Sequence, residues 1–295
     1  MFRRTLLASA GAIALAGTAL AADLPYRAPP PVYLPPPPVF TWTGLYIGLN
    51  AGYEWAASRN VETTTVPVFA APTFETELAL SSALATGTAH VNPNGFIGGG
   101  QIGYNLQFAN NFVVGIEADI QGLAGTHATG SFSGSGVPLP GETIDSTVQS
   151  NKRIDYLGTV RGRLGFTITP TLLVYGTGGL AYGGVEAATG IGQTNLPFGG
   201  FGSFGNISNS RVGWTAGGGL EWLFAPNWSA KVEYLYYDLG RVTYGLSPLT
   251  LTDAAGGVLY SSAPFSTTRF NGNIVRAGLN YHFNLWGPAP VVAKY

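Results

Sequence analysis

The side chains best placed to do chemistry in this sequence are ionic groups two residues apart. Glu117 and Asp119 stand so in IEADI, Arg161 and Arg163 in TVRGRLG, and Lys231 and Glu233 in NWSAKVEYLYY. Paired carboxylates can carry general acid–base work, and paired guanidiniums can clamp carboxylates bidentately. The histidines, His90, His127 and His282, have no Ser or Asp arrangement at a spacing suited to nucleophilic catalysis. No group has metal-ligand spacing. The chain lacks cysteine, which removes thiolate metal sites, disulfides and a cysteine nucleophile. Gly98-Gly99-Gly100 and Gly176-x-Gly178-Gly179 lie in strand-like runs with no helix pattern after them, so they are not dinucleotide fingerprints. The expectation is a protein that is not an enzyme and has no cofactor.

A spacing of two is the period of a strand, in which alternate side chains share one face. Eight segments carry that period: Trp42–Trp55, Phe96–Phe108, Phe112–Gly122, Ile154–Phe166, Thr171–Gly184, Arg211–Phe224, Trp228–Leu239 and Asn273–Phe283. Apolar or small residues occupy one register, such as Leu45, Ile47, Leu49, Ala51 and Tyr53, and charges fall mostly in the other. Each segment reaches the ~9–11 residues that a tilted strand needs to cross a bilayer.

Composition decides which side the apolar register faces. Charged residues are 10% of the chain and there are 43 glycines, against about 25% charged and 7% glycine in ordinary soluble domains. A soluble β-sandwich also alternates, but it would need many more charges on its solvent face. Beyond the N-terminus there is no uncharged apolar run long enough for a helical span. The fold expected is all-β: an eight-stranded antiparallel up-and-down transmembrane β-barrel, apolar outside and charged within.

The connections alternate in length. Residues 109–111, 167–170 and 225–227 form tight turns, whereas 56–95, 123–152, 185–210 and 240–272 are long. Short periplasmic turns and four long extracellular loops account for this, and an even strand number puts both termini in the periplasm. Trp42, Phe108, Phe112, Phe166, Phe224, Trp228 and Phe283 then mark the periplasmic rim. Tyr53, Trp55, Phe96, Tyr182, Trp214 and Tyr236 mark the outer one.

By this parity the lumen receives Glu54, Glu117, Asp119, Asp155, Arg161, Arg163, Arg211, Glu221, Lys231, Glu233 and Arg276. Eight strands leave an interior that side chains can fill, and charges confined there must pair. Glu117 and Asp119 are the expected partners of Arg161 and Arg163. The network is either a structural plug or the lining of a small porin passing ions or small solutes. Inward glycines at 48, 52, 99, 103, 217 and 219 leave room for a pore and equally relieve crowding between curved strands.

Residues 1–21 read as an export signal, with Arg3 and Arg4, an apolar core from Leu6 to Ala16 and an Ala19-Leu20-Ala21 cleavage site. Its removal takes two of the 14 basic residues and none of the 15 acids. The mature net charge is then about −3, which gives no reason to expect nucleic-acid binding. Residues 22–40 are a proline-rich segment, read as a semi-rigid periplasmic tether or a plain disordered leader. The barrel covers 41–283, and 284–295 form a periplasmic C-terminal tail.

The segments WTGLYIGLNAGY, GFIGGGQIGYNLQF, VVGIEADIQG, YLGTVRGRLGF, YGTGGLAYG, GWTAGGGLEW, NWSAKVEYLYYDLG and VRAGLNYHF resemble the alpha-proteobacterial outer-membrane surface-antigen (immunogenic, porin-like) family, related to the barrel domain of outer membrane protein A. The resemblance implies residence in the Gram-negative outer membrane, a role in envelope integrity, and surface loops presented to host or environment. It implies contact with outer-membrane lipid and lipopolysaccharide, handling by the barrel-assembly machinery, and loop contact with host or phage surfaces. It supplies no catalytic residues. Family members often begin their mature chain Ala-Asp, as Ala22-Asp23 would here, and that end is implicated in covalent attachment to peptidoglycan. No peptidoglycan-binding domain is expected after the barrel, since twelve residues follow Phe283. Which aromatic (Phe283, Trp286 or Tyr295) serves as the assembly signal is left open by the tail.

Overall fold

The computed structural model describes residues 41–109, 111–125 and 127–283. The export signal, the tether with Ala22, and the tail 284–295 lie outside the described residues. The elements in chain order are β1 (Gly44–Ala56), β2 (Asn60–Ala70), α1 (Glu75–Leu84), β3 (Gly87–His90), β4 (Asn94–Phe108), β5 (Phe112–Ala124), β6 (Ala128–Gly136), β7 (Thr143–Thr169), β8 (Leu172–Leu196), β9 (Gly199–Ala225), β10 (Trp228–Gly245), β11 (Leu249–Thr252) and β12 (Val258–Phe283). Apart from Trp42, Thr43 and Thr171 at their ends, all eight expected segments fall in strands, and short connections join β7 to β8 and β9 to β10, with β7 itself reaching Thr169. Ala109 (φ 48°), just past β4, and Asn227 (φ 68°), between β9 and β10, take left-handed backbone, a conformation that costs residues other than glycine and marks these turns as sharp.

The sheet is antiparallel throughout. Pairing runs β1-β4-β5-β7-β8-β9-β10-β12, and β12 pairs back onto β1 from Leu45↔Phe283 to Ala56↔Gly272. The main path of hydrogen bonds therefore returns to its start. Closure leaves none of these eight strands with a bare edge along that stretch.

The long connections differ from expectation. They are chiefly more strand: β7 and β9 run 27 residues each, β12 26 and β8 25. β6 adds to the upper part of β7, while β2 and β11 add to the upper part of β12, with β3 beside β2. The wall consequently continues well past the segments recognised by their aliphatic alternation. Above them, the outward register holds Thr147, Gln149 and Asn151 instead of leucine and valine, a polar alternation that reads as loop composition in sequence.

Helix α1 lies at this upper end. Glu75 and Glu77 favour its N-terminal turn through the helix dipole, and Leu78, Ser81 and Ser82 are buried. A reciprocal pair pins it to β8: the Ser81 hydroxyl donates to Gln193 Oε1 at 2.5 Å, and Gln193 Nε2 donates to the Ser81 carbonyl at 2.8 Å.

Two tiers result. In the lower tier the outward face is aliphatic, with Leu49 73% and Leu164 64% exposed. In the upper tier apolar side chains turn inward, among them Val148, Ile191, Leu249 and Tyr260. A second inward cluster, including Leu157, Val185, Leu235, Tyr237 and Phe270, lies between them. Exposed aromatics ring the lower tier: Phe108, Phe112, Phe166, Phe224 and Trp228 at one end, and Tyr53, Phe96 and Trp214 at the other. Trp42 is a correction to the lower ring. Standing just ahead of β1, it folds under the wall and packs edge-on to His282 at 5.6 Å, with its Nε1 donating to the Pro170 carbonyl at 3.2 Å.

Candidate functional site

The site begins with register. On adjacent strands Glu117 sits opposite Arg161, Glu233 opposite Arg276, and Lys231 opposite Glu221. Alternation sends all six inward at one level of the wall. Glycines across from them make space: Gly103 faces Glu117, and Gly179 faces Arg161. A methyl on Gly103 would stand 2.3 Å from the Tyr46 ring, and one on Gly179 would stand 2.2 Å from the Val160 carbonyl oxygen. Any larger residue at either position forces the wall or the network apart.

Four carboxylates and four cations meet there, all with side chains at most 1% exposed. Arg161 is the hub. Its Nη2 reaches Glu117 at 2.5 Å and Asp119 at 2.8 Å, its Nη1 reaches Glu233 at 2.9 Å, and its Nε donates to Thr159 Oγ1 at 2.8 Å. Arg276 bridges Glu233 at 2.6 Å and Asp119 at 2.9 Å from the opposite side. Lys231 Nζ donates to both oxygens of Glu117 at 2.9 Å.

Arg163 ties this cluster to Glu221 at 2.6 Å and stacks its guanidinium 3.8 Å from the Tyr175 ring centre. Its Nη1 donates to the Tyr46 hydroxyl at 2.8 Å, which in turn donates to Glu117 at 2.7 Å. Glu221 also accepts from Ser229 at 2.6 Å and from Asn280 at 2.7 Å, and His282 stands 3.4 Å away. Below the layer, Trp42, Val113, Leu173, Tyr175 and Leu223 form an apolar floor.

The layer is electrically neutral, with Glu117, Asp119, Glu221 and Glu233 set against Arg161, Arg163, Lys231 and Arg276. In a water-poor interior an uncompensated charge costs several kcal/mol, so balance and multiple hydrogen bonds are what permit burial here. Within the layer, each of these four carboxylates is engaged by at least one cation. Of the two expected partners of Glu117 and Asp119, Arg161 contacts both carboxylates, and Arg163 stands 3.6 Å from Glu117 while bonding chiefly to Glu221.

Three of the predicted lumen residues behave differently. Asp155 is a correction: its side chain is 42% exposed and pairs with Arg153 on the outer surface at 3.1 Å. The cause is an irregularity in the β7–β8 register between Ile154 and Tyr156. An extra residue there flips alternation, so Ile154 and Leu157 both point inward. Arg211 is a second correction, since it joins none of the buried carboxylates and donates instead to the Arg241 carbonyl at 2.7 Å. Glu54 is buried but belongs to a higher level, accepting from Tyr237 at 2.6 Å.

Lys152 was not anticipated and occupies the interior near Glu54. Its Nζ donates to the Ser58 carbonyl at 2.9 Å and to the Arg269 carbonyl, and lies 4.9 Å from the Phe270 ring centre. Burial pushes this amine down to about 8, with Glu54 opposing the shift. The inverted parity above the bulge placed Lys152 inside, and nothing in the residue pattern announces a bulge. Tyr46, by contrast, shares the parity of Glu54 and was legible as inward.

Comparison with known proteins agrees with this architecture. Residues 10–283 match the family described as outer membrane protein beta-barrel domain. The 31 kDa outer-membrane immunogenic protein of Brucella melitensis is 36% identical over 281 residues, covering 95% of this chain and all of the relative. The 25 kDa outer-membrane immunogenic protein of Brucella abortus is 26% identical, with 83% of this chain and 89% of that protein covered. The 22 kDa outer membrane protein of Rhizobium leguminosarum is 30% identical over half of this chain and 56% of its own length.

Proposed function

The chain belongs to the outer membrane β-barrel family of Gram-negative bacteria, and we propose that it is a closed structural barrel without catalytic activity. In this reading the circuit of β1, β4, β5, β7, β8, β9, β10 and β12 is an eight-stranded barrel. Its lower tier crosses the membrane, its upper tier stands outside the cell, and both chain ends lie in the periplasm. The protein supports envelope integrity and holds the upper tier out to host or environment, in place of four flexible extracellular loops.

The observation that carries this reading is the neutral layer of four carboxylates and four cations, fully buried across the lower tier. A filter that conducts needs charges that ions can reach and leave, and these side chains are spent on one another. The apolar cluster above them adds a second, water-excluding level.

Single-channel conductance of the refolded mature barrel tests it, beside a Glu117→Gln, Asp119→Asn double variant. The expected result is silence from the parent, with openings or lost heat resistance in the variant. Steady parent channels whose ion selectivity shifts in the variant would make the protein a small porin. On the family resemblance, the same reading has the Ala22 amine joined to peptidoglycan. Muramidase digestion followed by mass analysis of the N-terminal peptide checks it, and a peptide without a muropeptide ends the idea.

A further inference from the structure

An arginine cluster at the boundary of the two tiers takes no part in sealing the interior. Arg59 follows β1, Arg241 stands just past the register break in β10, and Arg269 is its direct cross-strand partner on β12. All three are exposed. Like charges facing one another across a strand pair repel, so the Arg241–Arg269 pairing favours an anion between them. Arg211 adds a fourth guanidinium, through its bond to the Arg241 carbonyl.

Local carboxylates cover only part of this charge. Asp238 takes Arg269, accepting from Nε at 3.2 Å and from Nη2. Among the described residues, Arg59 and Arg241 have no carboxylate within ion-pair reach. Arg153, elsewhere on the surface, is by contrast satisfied by Asp155 at 3.1 Å and Glu186 at 2.6 Å. Four guanidiniums against Asp238 and Glu62 leave the sector with a net charge of +2.

Shape and setting narrow the ligand. A groove of about 400 Å³ is lined by Arg59, Arg241 and Arg269, with Asn60, Thr267 and the Glu62 carboxylate also on its wall. A second concavity of about 380 Å³ shares Arg241 and Arg269 and descends to Trp214 and Val212. Val212 is 71% exposed, and Trp214 packs against Tyr236 in the upper aromatic ring. Cations thus sit directly above exposed apolar side chains, the order of groups found in a phosphorylated lipid read from head to tail.

We infer that this sector binds the phosphate groups of a glycolipid in the outer leaflet. Arg59 and Arg241 meet the phosphates, and the acyl chains lie along Trp214 and Val212. The inference rests on the membrane placement proposed above.

Native mass spectrometry of the refolded full barrel in mixed micelles tests it. The probes are bisphosphorylated lipid A, dephosphorylated lipid A and inorganic pyrophosphate. The parent should retain bisphosphorylated lipid A, while dephosphorylated lipid A and pyrophosphate bind at least about tenfold more weakly, charge-assisted phosphate contacts and apolar contacts both being required. Arg59→Gln with Arg241→Gln should lose retention by a similar factor and keep the parent's heat-modifiable mobility, which reports an intact fold. Arg153→Gln should bind as the parent does.

Equal retention by the double variant, or equal binding of dephosphorylated lipid A, overturns the proposal. Pyrophosphate bound as tightly as lipid A also overturns it, by making the ligand a free polyphosphate. Failure of the membrane reading is seen separately, as parent protein that alkaline carbonate strips from vesicles.

Discussion

Strand β7 turns its chemistry inside out along its own length. At its lower end Arg161 and Arg163 point inward while Val160 and Leu164 point outward; at its upper end Val148 and Ile144 point inward while Thr147 and Gln149 point outward. The backbone is the same antiparallel ladder at both levels, so the ladder itself does not decide which face is apolar. The surroundings do. On the membrane placement proposed above, lipid rewards aliphatic side chains outside and forces the ionic ones to find partners within. Water rewards the opposite distribution, and the upper interior then resembles an ordinary hydrophobic core. The bulge between Ile154 and Tyr156 lies where one regime gives way to the other.

The lower tier is most vulnerable at Arg161. Substitution by Met leaves Glu117, Asp119 and Glu233 short of their shared cation, and should destabilise the lower tier by ~3–5 kcal/mol. The measurement is loss of the folded band on heated electrophoresis across a temperature series. Adding Glu233→Gln to the same chain should recover part of the loss, because one excess negative charge is removed. Full stability of the single variant would show that the layer is not held by charge balance.

A lysine scan of the outer face sharpens the membrane boundary. Ile102→Lys, midway between the rim aromatics Phe96 and Phe108 on β4, should cost ~2–4 kcal/mol in lipid, the range for a lysine near the bilayer midplane, and Gln149→Lys close to nothing. Refolding equilibria in lipid vesicles read both. Equal penalties would mean that the two tiers share one environment.

Lys152 adds a weaker, pH-dependent contribution. Its folded-state value is depressed from the ordinary lysine range to about 8, so between about 8 and 10.5 the unfolded chain binds more protons than the folded one. Stability of the parent relative to Lys152→Met should therefore rise with pH across that window and change little below it. Denaturant titrations at pH 7, 9 and 10.5 give the difference, and a flat difference contradicts it.

The lower tier was legible because two signals coincide there: aliphatic residues such as Ile47 and Leu49 in one register, and Glu117 or Arg161 in the other. The upper tier supplies neither. Thr147, Gln149 and Asn151 alternate with Val148 and Ser150, a weak contrast that loops also show, so strands and the Glu75–Leu84 helix were both read as loop. Asp155 was set inside because a single extra residue between Ile154 and Tyr156 reverses the alternation, and Lys152 was passed over because its stretch was read as loop. Trp42 was set on the rim by its aromatic type, although its position ahead of β1 lets it fold beneath the wall. The pairing of Glu117 and Asp119 with Arg161 needed only neighbouring strands and correct parity, both of which the lower tier provides.

The closing seam has a kinetic meaning. Leu45 and Phe283 are register partners on strands from opposite ends of the barrel sequence, and joining them incurs nearly the full loop-closure entropy of the chain. Arg276 arrives on that same last strand. Until it docks, four acids face three cations, and a partly assembled wall carries an exposed edge together with an excess negative charge. Edge and charge are satisfied in one step, which makes the final strand a checkpoint: intermediates lacking it are penalised twice, and the completed ring has no inexpensive first strand to lose.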